Sequence, residues 1–446
     1  MIGRLAPPMR RQRVLALSAV LLVSVVALAG LAVTAGDSAG TTEDEQHPGQ
    51  TLVTVQAYGW FGNHNGDVFI VDREGERVWE YRPDDAAVFD AEMLESGNVM
   101  VSFGQKVPDA DCPERWANTA RDYCIRNRVQ EVDPDTNEVV WEYTWYDRFM
   151  SYHEVHDADR LENGETVIID MARHRTFTVD RNGTVTWEWS ATEHLDEGSE
   201  FWAEHVEGTP REDHAYTGPE QDWTHMNDVD RLENGNFLMS IRNFDVVVEV
   251  DPETDEVVEV YGDPGNHDLM YEQHDPDYLE AHDTLIVADS ENNRVVEYDA
   301  ETMEEVWRYE GPAPSDRLQW PRDADRLPNG NTLVVDSRGF RVLEVDPEGE
   351  VVWSHEMSEA PAIVYDADRL GPDQRLGEEP ENVPPGDDLN GTYHGGGLSG
   401  AVAFADSWLG FLLPQWVGVY GLLAVLVGLG ALAGLAWEGY RHRRAA

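Results

Sequence analysis

Through most of the chain the apolar residues come in short runs, each closed by an acid and a turn. The clearest unit reads Asp-x-Asp-Arg-Leu-x-Asn-Gly, then usually Thr and an apolar run. It begins at Asp157, Asp228 and Asp323, with looser copies beginning at Asp90, Asp275 and Asp366. A second unit is an apolar strand ending in Asp, a tight turn, and a strand that often carries Trp; its closing aspartates are Asp72, Asp133, Asp180, Asp251, Asp299 and Asp346. Asn-Gly is the strongest two-residue hairpin signal, and apolar alternation at this length indicates strands rather than helices. Each repeat therefore reads as four strands: a (Asp-x-Asp-Arg-Leu), b (as at 332–336), c (as at 341–346) and d (as at 351–355). A period of about 45 residues with four short strands is that of a propeller blade.

The ends of the array complete the reading. Residues 51–81 supply strands b, c and d without strand a, whereas residues 366–370 supply a strand a with nothing after it. Together they make one blade. The expected fold is an all-β, six-bladed β-propeller over residues 50–370, closed by its N- and C-terminal segments, which removes the open sheet edges. Features present in every blade are then structural. The Asp-x-Asp pairs resemble metal ligands, but a ring of six argues for bonding between blades, and no metal or cofactor is expected. The strand d tryptophans Trp79, Trp141, Trp187, Trp307 and Trp353 are expected to pack between blades.

Two longer apolar runs, 14–33 and 417–437, lie outside the repeats. About 20 apolar residues cross a bilayer. Arg4, Arg10, Arg11 and Arg13 precede the first, and Arg441, Arg443 and Arg444 follow the second, so both termini are expected in the cytoplasm with the propeller outside the cell. The expected organisation is an N-terminal transmembrane helix or signal anchor (1–36), the propeller (50–370), a Pro/Gly/acid-rich linker (371–414), a C-terminal transmembrane helix (415–437) and a basic tail (438–446). Membrane lipid is then a partner. A cleaved signal peptide is the alternative for the first run, and Trp408 and Trp416 fit an interfacial belt.

Composition narrows the class. The chain has 446 residues with 87 acidic and 32 basic side chains, a net charge of −55. That excludes nucleic acid, which needs a basic footprint. The single lysine, Lys106, and the acid excess suggest adaptation to molar salt, where like charges are screened. The two cysteines, Cys112 and Cys124, are expected to form a disulfide in an exported domain. Asn182 and Asn390 head glycosylation sequons.

Function should appear where the six-fold pattern breaks. The residue before each Asp-x-Asp pair is Phe89, His156, Asn227, His274, Arg322 and Tyr365 in turn. Strand a is innermost, so these residues begin near the axis. His153 and His225 lie close by in sequence. The b–c loops carry Arg173, His174, Arg175, Arg242, Arg294, Arg338 and Arg341, and the insertions at 104–125, 190–224 and 310–320 map to the same face. Histidines and arginines gathered at one channel mouth suggest an anionic substrate, since guanidinium matches sulfate, phosphate or carboxylate.

The motifs around these residues, Asp222-Trp223-Thr224-His225-Met226-Asn227-Asp228, Gln273-His274-Asp275-Pro276-Asp277 and Asp289-Ser290-Glu291-Asn292-Asn293-Arg294, resemble the arylsulfotransferase family in order and blade placement. The resemblance covers roughly residues 52–370. It implies sulfuryl transfer from a small anionic aryl sulfate to a phenolic acceptor with no nucleotide donor, no metal and a transiently sulfated axial histidine. Carried over, His225 and His274 orient or protonate phenolic oxygens and Arg294 holds the sulfuryl oxygens, with Arg322, His156, Arg242 and Asn227 as further substrate contacts. One departure stands out: by blade position the family's nucleophilic histidine is Arg322 here, and arginine stays protonated. The nucleophile is then His274, His225 or a displaced His394, or catalysis is lost and an anion-binding propeller of the cell surface remains.

Overall fold

The computed structural model describes residues 7–34, 49–58, 65–116, 122–148, 153–313, 316–357, 362–371, 386, 389, 391, 409 and 418–445. His394, Asn390, Trp408 and Trp416 lie outside the described residues. Six four-stranded antiparallel sheets make up residues 50–370. Blade 1 takes its strand a from the far end of the domain: Ala362–Leu370 pairs with Gln50–Tyr58. Blades 2 to 6 follow in chain order, with innermost strands Ala86–Met93, Val155–Arg160, Met226–Arg231, His274–Leu279 and Pro321–Arg326. This is the expected all-β six-bladed propeller.

The repeat motif is a clasp between neighbouring blades. The first Asp accepts a backbone N–H from strand a of the next blade: Asp157 from Val229 (2.6 Å), Asp323 from Ala367 (2.8 Å) and Asp366 from Ala91 (3.4 Å). The motif arginine reaches back to a glutamate on strand c of the preceding blade, as in Arg326–Glu297 (2.7 Å), Arg369–Glu344 (2.6 Å) and Arg160–Glu131 (3.4 Å). The same three arginines lie over the strand d residues Trp307, Trp353 and Trp141. Indole N–H groups extend the clasp forward: Trp79 donates to Asn137, Trp141 to the Arg181 carbonyl, Trp187 to Asp255 and Trp353 to the Arg73 carbonyl, all in the next blade. A buried pair such as Arg326–Glu297 is costly to break, because removing one member strands the other charge. The sheet faces between blades fill with Val, Leu, Ile and Phe.

Cys112 and Cys124 form the expected disulfide, closing the insertion between strands b and c of blade 2. Within the segment expected as a linker, the Gly386 N–H donates to Glu297 (3.2 Å) and Leu389 packs on the blade 5–6 core.

The two terminal helices, Pro7–Thr34 and Gly418–Ala445, belong to a separate unit. A Cβ at Gly434 would come within 3.0 Å of Leu17 and one at Gly428 within 3.4 Å of Ser24, so the helices pack closely. Among the described residues one helix, Val419–Arg441, is long and apolar enough to cross a membrane. The described apolar part of the N-terminal helix, Arg13–Ala27, is shorter than that.

Candidate active site

The start of each strand a is deformed in the same way. In blades 2, 4 and 6, Phe89, Asn227 and Arg322 are each an extra residue with no partner on strand b, between residues that do pair. Tyr365 is the extra residue of blade 1. In blade 3, His156 and Asp157 together oppose one residue, and His274 borders the corresponding irregularity of blade 5. A bulge re-aims the side chains at it and beside it, and these six residues reach the axis. Phe89, His156, Asn227, His274, Arg322 and Tyr365 line one axial cavity of about 30 Å³. The first aspartates of the six repeats line it as well.

The ring is tight. His156 stacks on Phe89 at 4.3 Å and meets the His225 ring edge-on at 5.2 Å. Tyr365 is edge-on to Phe89 at 5.3 Å, to His156 at 6.0 Å and to His274 at 6.1 Å. The Arg322 guanidinium lies 3.8 Å over Trp320 and 4.6 Å over Tyr365, and Arg338 covers Trp320 at 3.7 Å.

The hydrogen bonds fix the tautomers. Ser290 Oγ donates to the Pro321 carbonyl (2.6 Å), so it accepts from His274 Nδ1–H (2.9 Å), which also faces the Glu272 carbonyl (3.1 Å). His274 Nε2 therefore carries the lone pair, and it is buried with no hydrogen-bond partner among the described residues. His225 Nδ1–H donates to both oxygens of Asp222 (2.8 and 2.9 Å), leaving Nε2 as the acceptor. His156 Nδ1 is buried and unpartnered among the described residues.

Burial sets the protonation states. Desolvation, reinforced by Arg322 and Arg242, holds His274 well below the ordinary imidazole range. Desolvation, then His225 and Arg322, does the same for His156. His225 falls to about 4 by desolvation and the charge of Arg242, against the opposing pull of Asp222. All three rings are neutral bases at neutral pH. Arg322 is 6% exposed and forms no ion pair among the described residues; desolvation lowers its pKa, with the nearby Tyr365 in opposition. A buried cation is ordinarily paired. Arg338 is pushed down to about 10, again by desolvation first.

Sequence reasoning and structure part at the b–c loops. Arg294 does not join this site. Its Nε donates to Asp289 (2.5 Å) and its Nη2 to the Asp268 and Leu269 carbonyls, both 2.9 Å. Arg341 pairs with Asp336 and Asp316, and Arg175 with Asp170 and Glu188. Each arginine opposes, across the b–c turn, an aspartate five residues earlier: Asp170, Asp289 or Asp336. That spacing was visible in the sequence and marks a structural clamp. Arg173 likewise faces Asp170 (3.6 Å). His153 bonds Asp147 (3.0 Å), and His174 bonds Thr224 (2.9 Å) under the 190–224 insertion. Arg242 stays near the histidines, held by Glu272 and Asn243 (2.8 Å). Asn227 donates to the Gln273 carbonyl (3.0 Å). The supporting residues Asp222 and Ser290 stand within the motifs that resemble the family, but nothing in the sequence marks them as partners of His225 and His274; Trp320 is marked only by standing two residues before Arg322.

Residues 41–305 match the family model described as arylsulfotransferase (ASST). No curated protein matches the chain. Among solved structures, a protein of unknown function from Bacteroides caccae is 14% identical, covering 73% of this chain and 99% of that one at a TM-score of 0.49. A chain of the nidogen/laminin complex is 9% identical, covering 72% and 97% at a TM-score of 0.44. Catalytically inactive virginiamycin B lyase from Staphylococcus aureus, with quinupristin, is 8% identical, covering 69% and 85% at a TM-score of 0.39.

Proposed function

The chain belongs to the arylsulfotransferase family, and from that premise we propose that it moves a sulfuryl group between aryl sulfates and phenols through an axial histidine, without a nucleotide donor. The observation that carries this reading is one cavity lined by two neutral imidazoles, His156 and His274, with the His225 ring against His156, and by a buried arginine that lacks a carboxylate partner among the described residues.

His274 is the nucleophile in this scheme. His274 lines the cavity, its Nε2 lone pair has no partner among the described residues, and its other nitrogen is held by Ser290 and Glu272. Nε2 attacks sulfur, the bond from sulfur to the aryl oxygen breaks, and the phenolate departs. Arg322, fixed between Trp320 and Tyr365, faces the negative charge on the sulfuryl oxygens. His225 Nε2 then takes the proton of the acceptor phenol as its oxygen attacks the sulfur and displaces His274. Asp222 supports the imidazolium so formed. In the reverse direction that imidazolium protonates a departing phenolate. Arg322 thus contributes charge at the position where the family's histidine would stand, and the nucleophile moves one blade earlier.

Transfer from a chromogenic aryl sulfate to a phenol, with sulfated His274 trapped by mass spectrometry, tests the scheme. Folded protein that binds aryl sulfate yet gives neither product nor adduct would leave the second reading, a non-catalytic anion-binding propeller, which Arg322 at the family's histidine position favours.

The same proposal anchors the chain in a cell membrane through the C-terminal helix, with the N-terminal helix packed beside it as a second span. Arginines at the outer ends of both apolar runs support cytoplasmic termini and an exported propeller. The disulfide supports an oxidising compartment. The surplus of acids supports a saline one.

A further inference from the structure

The Asp-x-Asp repeat has one sector where it does more than join blades. Asp157, Asp323 and Asp366 each give one oxygen to a backbone N–H of the next blade. In blades 5 and 6, however, Asp275, Asp323 and Asp325 converge, with one carboxylate oxygen from each lying within 4.8 Å of the others. Asp275 alone among the six first aspartates has a left-handed backbone, at φ 44°.

A second observation is independent of that convergence. Asp228, in blade 4, is 7% exposed, and its Oδ2 has no hydrogen-bond partner among the described residues. It lines the same cavity as Asp275 and Asp323. Asp323 Oδ1 is in the same condition, in a residue 2% exposed. The strongest charges acting on Asp228, Asp323 and Asp325 are carboxylates. Buried carboxylate oxygens crowded by other carboxylates are expensive to keep.

We propose that Asp275, Asp323 and Asp325 bind a hard divalent cation, with Asp228 lining the same cavity from blade 4. The donor set is oxygen only, which suits Ca2+ or Mg2+ and gives copper, nickel or zinc no imidazole or thiolate. Three or four carboxylates match a doubly charged ion better than a single charge. The position has a consequence for the mouth. Asp275 directly follows His274, and Asp323 directly follows Arg322. The cation would lie beneath the anion site and offset a carboxylate floor that would otherwise repel a sulfate ester. Binding of the ion does not depend on sulfuryl transfer, so the two readings stand or fall separately.

The test uses the full-length purified protein, stripped with chelator and desalted, then titrated calorimetrically with Ca2+ and with Mg2+ and assayed for metal by mass spectrometry. One equivalent of either ion should bind saturably and raise the melting temperature. D325N should lose that uptake while melting normally in chelator, because no inter-blade hydrogen bond to Asp325 is described that it would break. If D325N fails to fold, D275N is read in its place. No saturable uptake of either ion, uptake unchanged in the folded variant, or a response to Na+ and K+ alone would overturn the assignment.

Discussion

Replacing Arg322 by methionine should make the protein more stable and useless for binding anions, and the size of each effect can be worked from its surroundings. The side chain is 6% exposed and has no carboxylate partner among the described residues. Withdrawing such a charge from water costs several kcal/mol even after relaxation. Stacking on Trp320 at 3.8 Å and Tyr365 at 4.6 Å returns ~0.5–2 kcal/mol per contact. Methionine fills similar volume, keeps dispersion contact with both rings and carries no charge. The net gain is ~1–3 kcal/mol, which corresponds to a rise of roughly 1.5–4.5 °C in a domain of this size. The variant loses the charge-assisted contact to a bound sulfuryl group, worth ~1.5–3 kcal/mol, so affinity should fall roughly 10–100-fold. Thermal melts of wild type and R322M, each with and without aryl sulfate, read both effects. Wild type should be the less stable without ligand and the more responsive to it. An R322M protein that melts lower than wild type without ligand, or that is stabilised equally by aryl sulfate, would refute the idea of a buried cation kept for an anion.

Other outcomes follow from the same geometry. S290A removes the hydroxyl that accepts from His274 Nδ1; it should slow formation of the sulfohistidine roughly 10-fold or more, with the fold and aryl sulfate affinity little changed, as read by single-turnover kinetics. The acid limb of the pH–rate profile should lie near pH 4, because His225 titrates at about 4 and must be neutral to accept a proton. Arg242 depresses that value, so R242Q should move the limb to higher pH, whereas D222N, which removes a carboxylate that raises it, should move it lower. Reducing the Cys112–Cys124 disulfide, or replacing both residues by serine, should cost ~3 kcal/mol in denaturant unfolding of the propeller.

The propeller was legible because its construction is repeated. Asp, Arg, Glu and Trp recur at fixed places, and each place is a contact between blades, as Asp323–Ala367, Arg369–Glu344 and Trp353–Arg73 show. The axial ring could be located for the same reason, one residue before each Asp-x-Asp pair. The direction of its side chains could not, since nothing local in Asn227 or Arg322 announces a bulge. The arginines misled where chemistry was read without partners: Arg294 and Arg341 looked like anion ligands until the aspartates across the turn were placed against them. The carboxylate cluster was hidden by the symmetry itself. Six equivalent motifs give no hint that Asp275, Asp323 and Asp325 turn toward a shared point, the one such carboxylate group among the described residues.

The join in blade 1 also has a bearing on when the molecule becomes a molecule. Thr54 and Asp366, 312 residues apart, touch in the finished sheet, and Gln50 pairs with Leu370. During synthesis the first three strands of the domain emerge early and must wait, with one edge uncovered, until the final strand leaves the ribosome or the export channel. Pairings this distant in sequence are slow to form, and an uncovered strand edge in the interval invites the wrong neighbour. A chain that ended after residue 356 but before residue 362 would keep five intact sheets and still lack a ring. The axial pocket, which draws one wall from every blade including Tyr365 of the last strand, therefore exists only in the fully made protein, so ligand binding at the axis doubles as a report on completed synthesis.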